Sequence, residues 1–350
     1  MCSIEDLERG AASGDHAPQF TLGLKREVEG WNDAARGLLG QAAAGGNIDA
    51  LTALAINLLT CAPLSHYEGV RSIIEATNGG SGQAIAIAGA MSALGAGLPQ
   101  DWAAALECLQ RGAERGWTPA QEELRLLASH TSADLSWKAL RDSVDLDDLL
   151  TPGQMRVHEQ PRISVCEKFL TPQICDWLIA KGGPKVQRAT IFDTASASRQ
   201  VVETRSNSAA EFNIVETDIV LALIRARISA LTGLPTLGME HTQILHYTPG
   251  QQFAPHFDFL DPAVPAYAKD IARAGQRLAT FLVYLNDDFD GAPTSFLKLD
   301  WRYRGAKGDA ILFWNVDPSG VPDRSTLHAG LAPTRGEKWL LSQWIRHIPA

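Results

Sequence analysis

The chain has 350 residues, 45% hydrophobic and 20% charged, enough to build one large core or two of ordinary size and too apolar to be read as disordered. Its formal net charge of -9, from 40 acidic against 31 basic side chains, repels phosphate backbones and anionic lipid, which argues against nucleic-acid and membrane partners. The first residues, MCSIEDLERGAASGDH, have neither the basic nor the apolar region of a secretory signal, and no lipobox precedes Cys2. Five scattered cysteines (Cys2, Cys61, Cys108, Cys166, Cys175), none spaced as CxxC, fit reduced thiols in a cytoplasmic protein better than a disulfide framework or a zinc ribbon.

Residues 1–135 are rich in Ala, Leu and Gly, with apolar residues at helical spacing. Three segments, AAAGGNIDALTALA (42–55), ATNGGSGQAIAIAG (76–89) and GAERGWTPAQEELRLLA (112–128), each join a helix end, a glycine turn and a new helix. Their central alanines, Ala50, Ala84 and Ala120, recur about every three dozen residues, the period of helix–turn–helix arrays. Small residues there let two helices approach closely, and the glycines are expected to end each preceding helix in the left-handed conformation. The last unit, DWAAALECLQRGAERGWTPAQEELRLLA, resembles a Sel1-like repeat, a relative of the tetratricopeptide repeat. Such an array would offer a groove to protein partners or to a second copy; a plain helical bundle is the alternative. The uncharged stretch 77–100, broken by Gly79, Gly80 and Gly82, is expected to be an enclosed helix, not a membrane span.

Residues 129–160 are polar and acidic (DSVDLDDLL), with Pro152 inside and Pro161 just beyond, and read as a short helix and connector, the linker proper covering 136–160. From residue 161 to 350 the texture changes. Two helices are predicted over 171–182 and 216–233, with Thr171 and Glu216 to Asp218 supplying caps or first-turn charge. The β-rich runs HTQILHYT (241–248), RLATFLVYLN (277–286), AILFWN (310–315) and KWLLSQWIRH (338–347) alternate with turn clusters. The expected fold is α+β, a mainly antiparallel strand barrel with helices packed outside it.

The segment FAPHFDFL places His256 and Asp258 two residues apart in an apolar run. On a strand such residues point to one face, so an imidazole and a carboxylate converge. His328, in STLHAGLAP, is the best third ligand. Two histidines and one carboxylate on one face leave open positions, which suits non-haem iron(II) oxygen chemistry, although a hydrolytic zinc site accepts the same side chains. Lys338 lies ten positions after His328 on the next predicted strand. A buried cation beyond a metal site needs an anionic partner, such as the far carboxylate of a dicarboxylate cosubstrate, and a zinc hydrolase has no use for one.

In order, ISVCEKFLTPQICDWLI, EHTQILHYTPGQQFAPHFDFLDP, GQRLATFLVYLND, GDAILFWN and LHAGLAPTRGEKWLLSQWIR resemble the prolyl 4-hydroxylase branch of the 2-oxoglutarate oxygenases, over more than half of the chain. The resemblance implies a double-stranded β-helix (jelly-roll) catalytic domain with iron at its open end, and no catalytic side chain beyond the metal centre. It implies His256, Asp258 and His328 as iron ligands, Lys338 as the partner of the C5 carboxylate of 2-oxoglutarate, and Tyr247 as a hydrogen-bond donor to that cosubstrate. Trp344 matches an aromatic near the pocket, with packing as its alternative role, and Arg205 in ETRSNSAAEF matches a substrate contact. Implied cofactors are Fe(II), 2-oxoglutarate and O2, with ascorbate as a further candidate. Because the carboxylate ligand is present, hydroxylation is implied and halogenation is not.

One departure stands out. The family's Gly-Gly-Glu-Thr run reads Gly291, Ala292, Pro293, Thr294 here, and proline removes a backbone donor and fixes φ, so the loop can take another path. The segment FLDPAVPAYAKDIARAGQ, with two prolines and a helical run, is a candidate lid. Three functions compete at this point: hydroxylation of a prolyl residue in a peptide or protein with release of succinate and CO2, the same chemistry on a free amino acid or small metabolite, and a non-catalytic protein-binding module on a degenerate jelly-roll. No phosphate loop, dinucleotide fingerprint or nucleophile elbow competes, and the oligomeric state is left open.

Overall fold

Three-residue turns set the architecture of the N-terminal half. The computed structural model describes residues 3–128, 135–158, 162–193 and 198–348, so Cys2 lies outside the described residues. Helices Asn32–Ala44, Ile48–Thr60, His66–Asn78, Gly82–Leu94 and Trp102–Glu114 are each 13 residues long, and Thr118–Leu127 follows. Gly46, Gly80 and Gly116 have φ of 90°, 88° and 79°, as their sequence context predicted. At each of them the same two backbone bonds close the helix end: Gly46 N–H to Ala43 and Asn47 N–H to Ala42, Gly80 to Thr77 and Ser81 to Ala76, Gly116 to Ala113 and Trp117 to Gly112. Asn47 and Ser81 then cap the next helix by accepting from the N–H of Ala50 and Ala84.

Ala50, Ala84 and Ala120 are each the third residue of their helix and are wholly buried. The reason for the small side chain is visible at Gly112, where an added Cβ would lie 3.2 Å from the Ala120 Cβ. Ala120→Leu should therefore cost about 1–3 kcal/mol by overpacking, read as a lowered Tm in circular dichroism. An unchanged Tm would mean that the helices have slack there. Helix Gly82–Leu94 buries ten of its 13 residues, which accounts for the uncharged stretch. No described helix is long and apolar enough to cross a membrane.

The chain divides into two compact units, Met1–Leu146 with Asn213–Leu223, and Asp147–Phe212 with Ile224–Ala350. In the first, Val215 packs on the cluster of Ala55, Leu59, Ile73, Ile87, Ala88 and Met91. The buried Glu123 accepts the Ile219 N–H at 2.9 Å, placing a carboxylate at the start of helix Ile219–Thr232. Residues 136–160, read as a linker, hold two short helices, Trp137–Asp142 and Leu146–Leu150, and a strand, Met155–His158.

The second unit is built on antiparallel sheets. The larger runs Met155–His158, Ile163–Cys166, Ala310–Trp314, Arg277–Tyr284, Lys338–Arg346, Thr242–Tyr247, Ser208–Phe212, Gln187–Arg188. The smaller runs Trp301–Tyr303, Thr294–Phe296, His328–Gly330, Phe253–His256. Ile163, Leu282, Ile311 and Phe313 from the larger sheet meet Phe296 of the smaller in one core cluster, the packed interior of a jelly-roll. Helix Pro172–Gly182, capped by Thr171 as predicted, lies against strand Thr242–Tyr247, with Gly182 close to Ile244.

Candidate active site

Cross-strand register brings the two histidines together: His328 stands directly opposite His256 in the antiparallel pair of the smaller sheet. Asp258 arrives differently from the expectation. The strand ends at His256, and Asp258 sits in the bend beyond it, so strand alternation does not place its carboxylate. A hydroxyl does: Thr280, in the centre of strand Arg277–Tyr284, donates to Asp258 Oδ2 at 2.7 Å, and Asn315 Nδ2 donates in turn to Thr280 Oγ1 at 3.0 Å. The Nε2 atoms of His256 and His328 then lie 3.5 and 3.6 Å from the two oxygens of Asp258. One donor atom from each of the three falls within 4.8 Å of the others.

Both imidazoles are oriented through their other nitrogen. His256 Nδ1 meets the Ala254 carbonyl at 2.8 Å and His328 Nδ1 the Thr326 carbonyl at 2.9 Å. Since a carbonyl only accepts, Nδ1 carries the proton and Nε2 presents its lone pair inward. Burial pushes the His328 imidazole down to about 4, with His256 adding to the shift against Asp258, so His328 is neutral at pH 7. Burial alone would raise the Asp258 carboxyl, but the facing His328 and His256 rings and the Thr280 hydroxyl outweigh it and hold the group well below the usual carboxylate range. Two imidazoles and one carboxylate, with ligand atoms converging in an aromatic surround (Phe253 stacked on His256 at 3.5 Å, Phe313 edge-on to His328 at 4.7 Å), fit a divalent transition metal.

Thr280→Val keeps the shape and removes the hydroxyl. Metal affinity should fall by about 10- to 100-fold, the range for groups that orient a ligand, as measured by competition with a chelating dye. Affinity equal to the parent chain would show that Asp258 is positioned by other means.

A pocket opens beside the triad, lined by Arg205, Tyr247, Phe253, Thr294, Leu340 and Trp344 among others. Tyr247 is buried, its phenol pushed up to about 12 by burial, so it stays a neutral donor. Lys338 is the cross-strand partner of Tyr247 and is wholly buried. Its ammonium donates to the Ala292 carbonyl at 2.7 Å and lies 5.3 and 5.2 Å from the Tyr247 and Tyr284 rings. Burial, aided by Arg304, brings the Lys338 ammonium down to about 7. Here the departure from the Gly-Gly-Glu-Thr pattern has its structural expression. Ala292 takes φ +50°, rare for a residue with a Cβ, and turns its carbonyl to the lysine, while the Pro293 carbonyl accepts from Leu331.

Arg205 is 5% exposed, its guanidinium 4.7 Å above Phe253 and bonded to the Thr190 carbonyl. Trp344 is half-buried on the pocket wall, with the Arg277 guanidinium 3.6 Å over its ring and its indole N–H without a partner among the described residues. Arg277 is paired with Glu240 through two bonds of 2.6 and 2.9 Å. Thr280, Asn315, Arg277 and Glu240 escaped the reading of the sequence. The only trace of Thr280 there is a hydroxyl at the centre of the apolar run RLATFLVYLN.

A family model described as the 2OG-Fe(II) oxygenase superfamily matches residues 242–346. Among curated proteins the chain is similar to prolyl 4-hydroxylase 1 of Arabidopsis thaliana, 31% identical over 216 residues, covering 57% of this chain and 75% of that protein. It is also similar to prolyl 4-hydroxylase 5 of the same plant, 33% identical over 206 residues, covering 53% and 68%. Among solved structures it aligns with a viral collagen prolyl hydroxylase from Paramecium Bursaria Chlorella virus-1 (27% identity, 53% of this chain and 96% of that one, TM-score 0.42). A Sel1 repeat protein from Oxalobacter formigenes aligns at 26% identity over 35% of this chain and 96% of that one, TM-score 0.31. With a relative matched at 31% identity across three quarters of its own length, and a matching oxygenase model over the strands that carry the triad, the chain belongs to the prolyl 4-hydroxylase family of Fe(II)- and 2-oxoglutarate-dependent dioxygenases.

Proposed function

We propose that this dioxygenase hydroxylates prolyl residues in a peptide or protein. The observation that carries the reading is the triad itself: His256, Asp258 and His328, each oriented by a hydrogen bond, in a pocket also lined by Arg205, Tyr247 and Trp344. In this reading the Nε2 atoms of the two histidines and the Asp258 carboxylate hold Fe(II). When bound, the metal together with 2-oxoglutarate and O2 supplies the oxidising power, and the keto acid leaves as succinate and CO2. The chain's own groups place the reactants and shield them.

Lys338 is assigned the far carboxylate of 2-oxoglutarate, and Tyr247 donates a hydrogen bond to it. Phe253, stacked on His256, shields one side of the metal site from water. Arg205 and Trp344 form the edge of the pocket on which a peptide would lie. The segment 259–276, with helix Pro265–Ala274, is the proposed lid. Ascorbate is assigned an accessory role, keeping the metal ferrous. The described cysteines are all free thiols, which supports a reducing, cytoplasmic setting.

The test gives the purified chain Fe(II), 2-oxoglutarate, ascorbate and proline-containing peptides, with free proline alongside. Succinate should form together with a mass gain of one oxygen atom on the peptide. Oxygen incorporation into free proline and never into peptide would move the substrate to small metabolites. Absence of 2-oxoglutarate turnover, coupled or uncoupled, would falsify the assignment.

A further inference from the structure

Charge is divided unequally between the two units. Residues 1–146 and 213–223 hold 20 of the 40 acidic side chains and 10 of the 31 basic ones, a net -10, while the remainder hold 20 and 21, a net +1. The acidity of the protein is thus the acidity of its helical unit.

The same unit exposes apolar and aromatic side chains at one end. The Asn32 side chain donates to the Ala62 carbonyl at 3.3 Å and Arg36 to the Cys61 carbonyl at 2.7 Å, which puts the turn before helix Asn32–Ala44 beside the loop after helix Ile48–Thr60. From these two loops and their flanks project Val28 (90% exposed), Trp31 (58%), Leu64 (52%) and Tyr67 (81%). Solvent exposure of four such side chains in and beside two adjoining loops is what a docking site offers. The exposed carboxylates Asp33 and Glu68 flank them, with no basic partner among the described residues. Trp31 already accepts a cation on its ring, the Arg26 guanidinium at 4.7 Å. An aromatic end that carries the carboxylates of Asp33 and Glu68, on a unit of net -10, is complementary to one kind of occupant.

We propose that this end of the helical unit docks a lysine- and arginine-rich polypeptide segment, whose alkyl stems cover Leu64 and Val28 and whose charges meet Trp31, Tyr67, Asp33 and Glu68. Identifying that polypeptide with the enzyme's substrate rests on the function proposed above; the docking does not. A substrate held here would reach the active site at raised local concentration, lowering KM without changing kcat.

The full-length chain, without iron or 2-oxoglutarate, is titrated against a labelled lysine-rich peptide and its serine- and glutamate-substituted counterparts by fluorescence anisotropy. The lysine-rich peptide should bind at least about tenfold more tightly than the serine one at low salt, and the advantage should shrink at roughly 0.5 M salt. Trp31→Ala with Tyr67→Ala should weaken binding about tenfold. Asp33→Lys with Glu68→Lys, which leaves the rings in place, should weaken it as well. Both variants should keep the circular dichroism spectrum and uncoupled 2-oxoglutarate turnover of the parent chain. Equal binding of the three peptides, or undiminished binding by both variants, overturns the proposal. So does a dimer that both variants dissolve, which would assign the face to a second copy. Docking without any hydroxylation of proline would overturn the substrate reading alone.

Discussion

A His328→Ala chain should keep its fold and lose both Fe(II) and 2-oxoglutarate turnover. His328 contributes one of the three converging donors and is held in place, 5% exposed, between Phe313 and Phe296 and tied to the Thr326 carbonyl. Without it, a single imidazole and a carboxylate remain, and the vacated space invites water rather than a metal in fixed geometry. The loss of metal affinity should exceed roughly 100-fold, the upper end for changes that only disturb a ligand's orientation. Removing a buried ring also leaves a cavity, so His328→Gln, closer in volume, is the companion variant, with circular dichroism melting as the control for folding. Calorimetric titration of dialysed protein with Fe(II) under anaerobic conditions reads the affinity. Binding within a few-fold of the parent chain in both variants would remove His328 from the metal site.

Lys338→Met should raise the KM for 2-oxoglutarate by about 30-fold or more, since truncating one partner of a buried charge pair costs about 2–5 kcal/mol. Metal affinity should be nearly unaffected, because Lys338 touches none of the three ligands. The parent enzyme should also show a pH signature. The lysine of the free enzyme, brought down to about 7 by burial and Arg304, is charged below pH 7 and increasingly neutral above it. A carboxylate binds the ammonium and not the amine, so KM for 2-oxoglutarate should climb by up to about tenfold per pH unit above 7. Lys338→Met should flatten that climb. A climb of the same steepness in the variant would assign it to another group.

The main strands were readable because they are largely apolar runs bounded by clusters of turn residues: Arg277–Tyr284 and Lys338–Arg346 lie where the sequence puts them. The double-stranded β-helix was inferable from the order of short motifs, not from any single run. Met155–His158 was lost in a stretch read as connector, because a four-residue strand carries too few alternations to register. At the site, residue spacing picked out His256 and Asp258 but for a partly mistaken reason. The chain has already left the strand at Asp258, and the carboxylate is aimed by Thr280, 22 positions away, whose role depends on sheet register. The Ala292 carbonyl is illegible for the same kind of reason, since its orientation is a backbone φ that the letter alanine argues against.

Asn213–Leu223, drawn from within the oxygenase half of the sequence, completes the core of the helical unit. No single peptide bond therefore separates the halves. A fragment ending at residue 146 would leave Ala55, Ile73 and Met91 short of the Val215 that packs on them, and Glu123 without the amide it holds. A fragment beginning at 147 would carry Ile219, Val220 and Leu221 with nothing of their own unit to bury them. Each piece would be sticky for the other, so co-expressed fragments should find one another, and either one alone should aggregate. The two units are consequently inherited as one folding entity, and the helical one cannot be transplanted as a cassette without the eleven-residue segment that the other half of the sequence lends it.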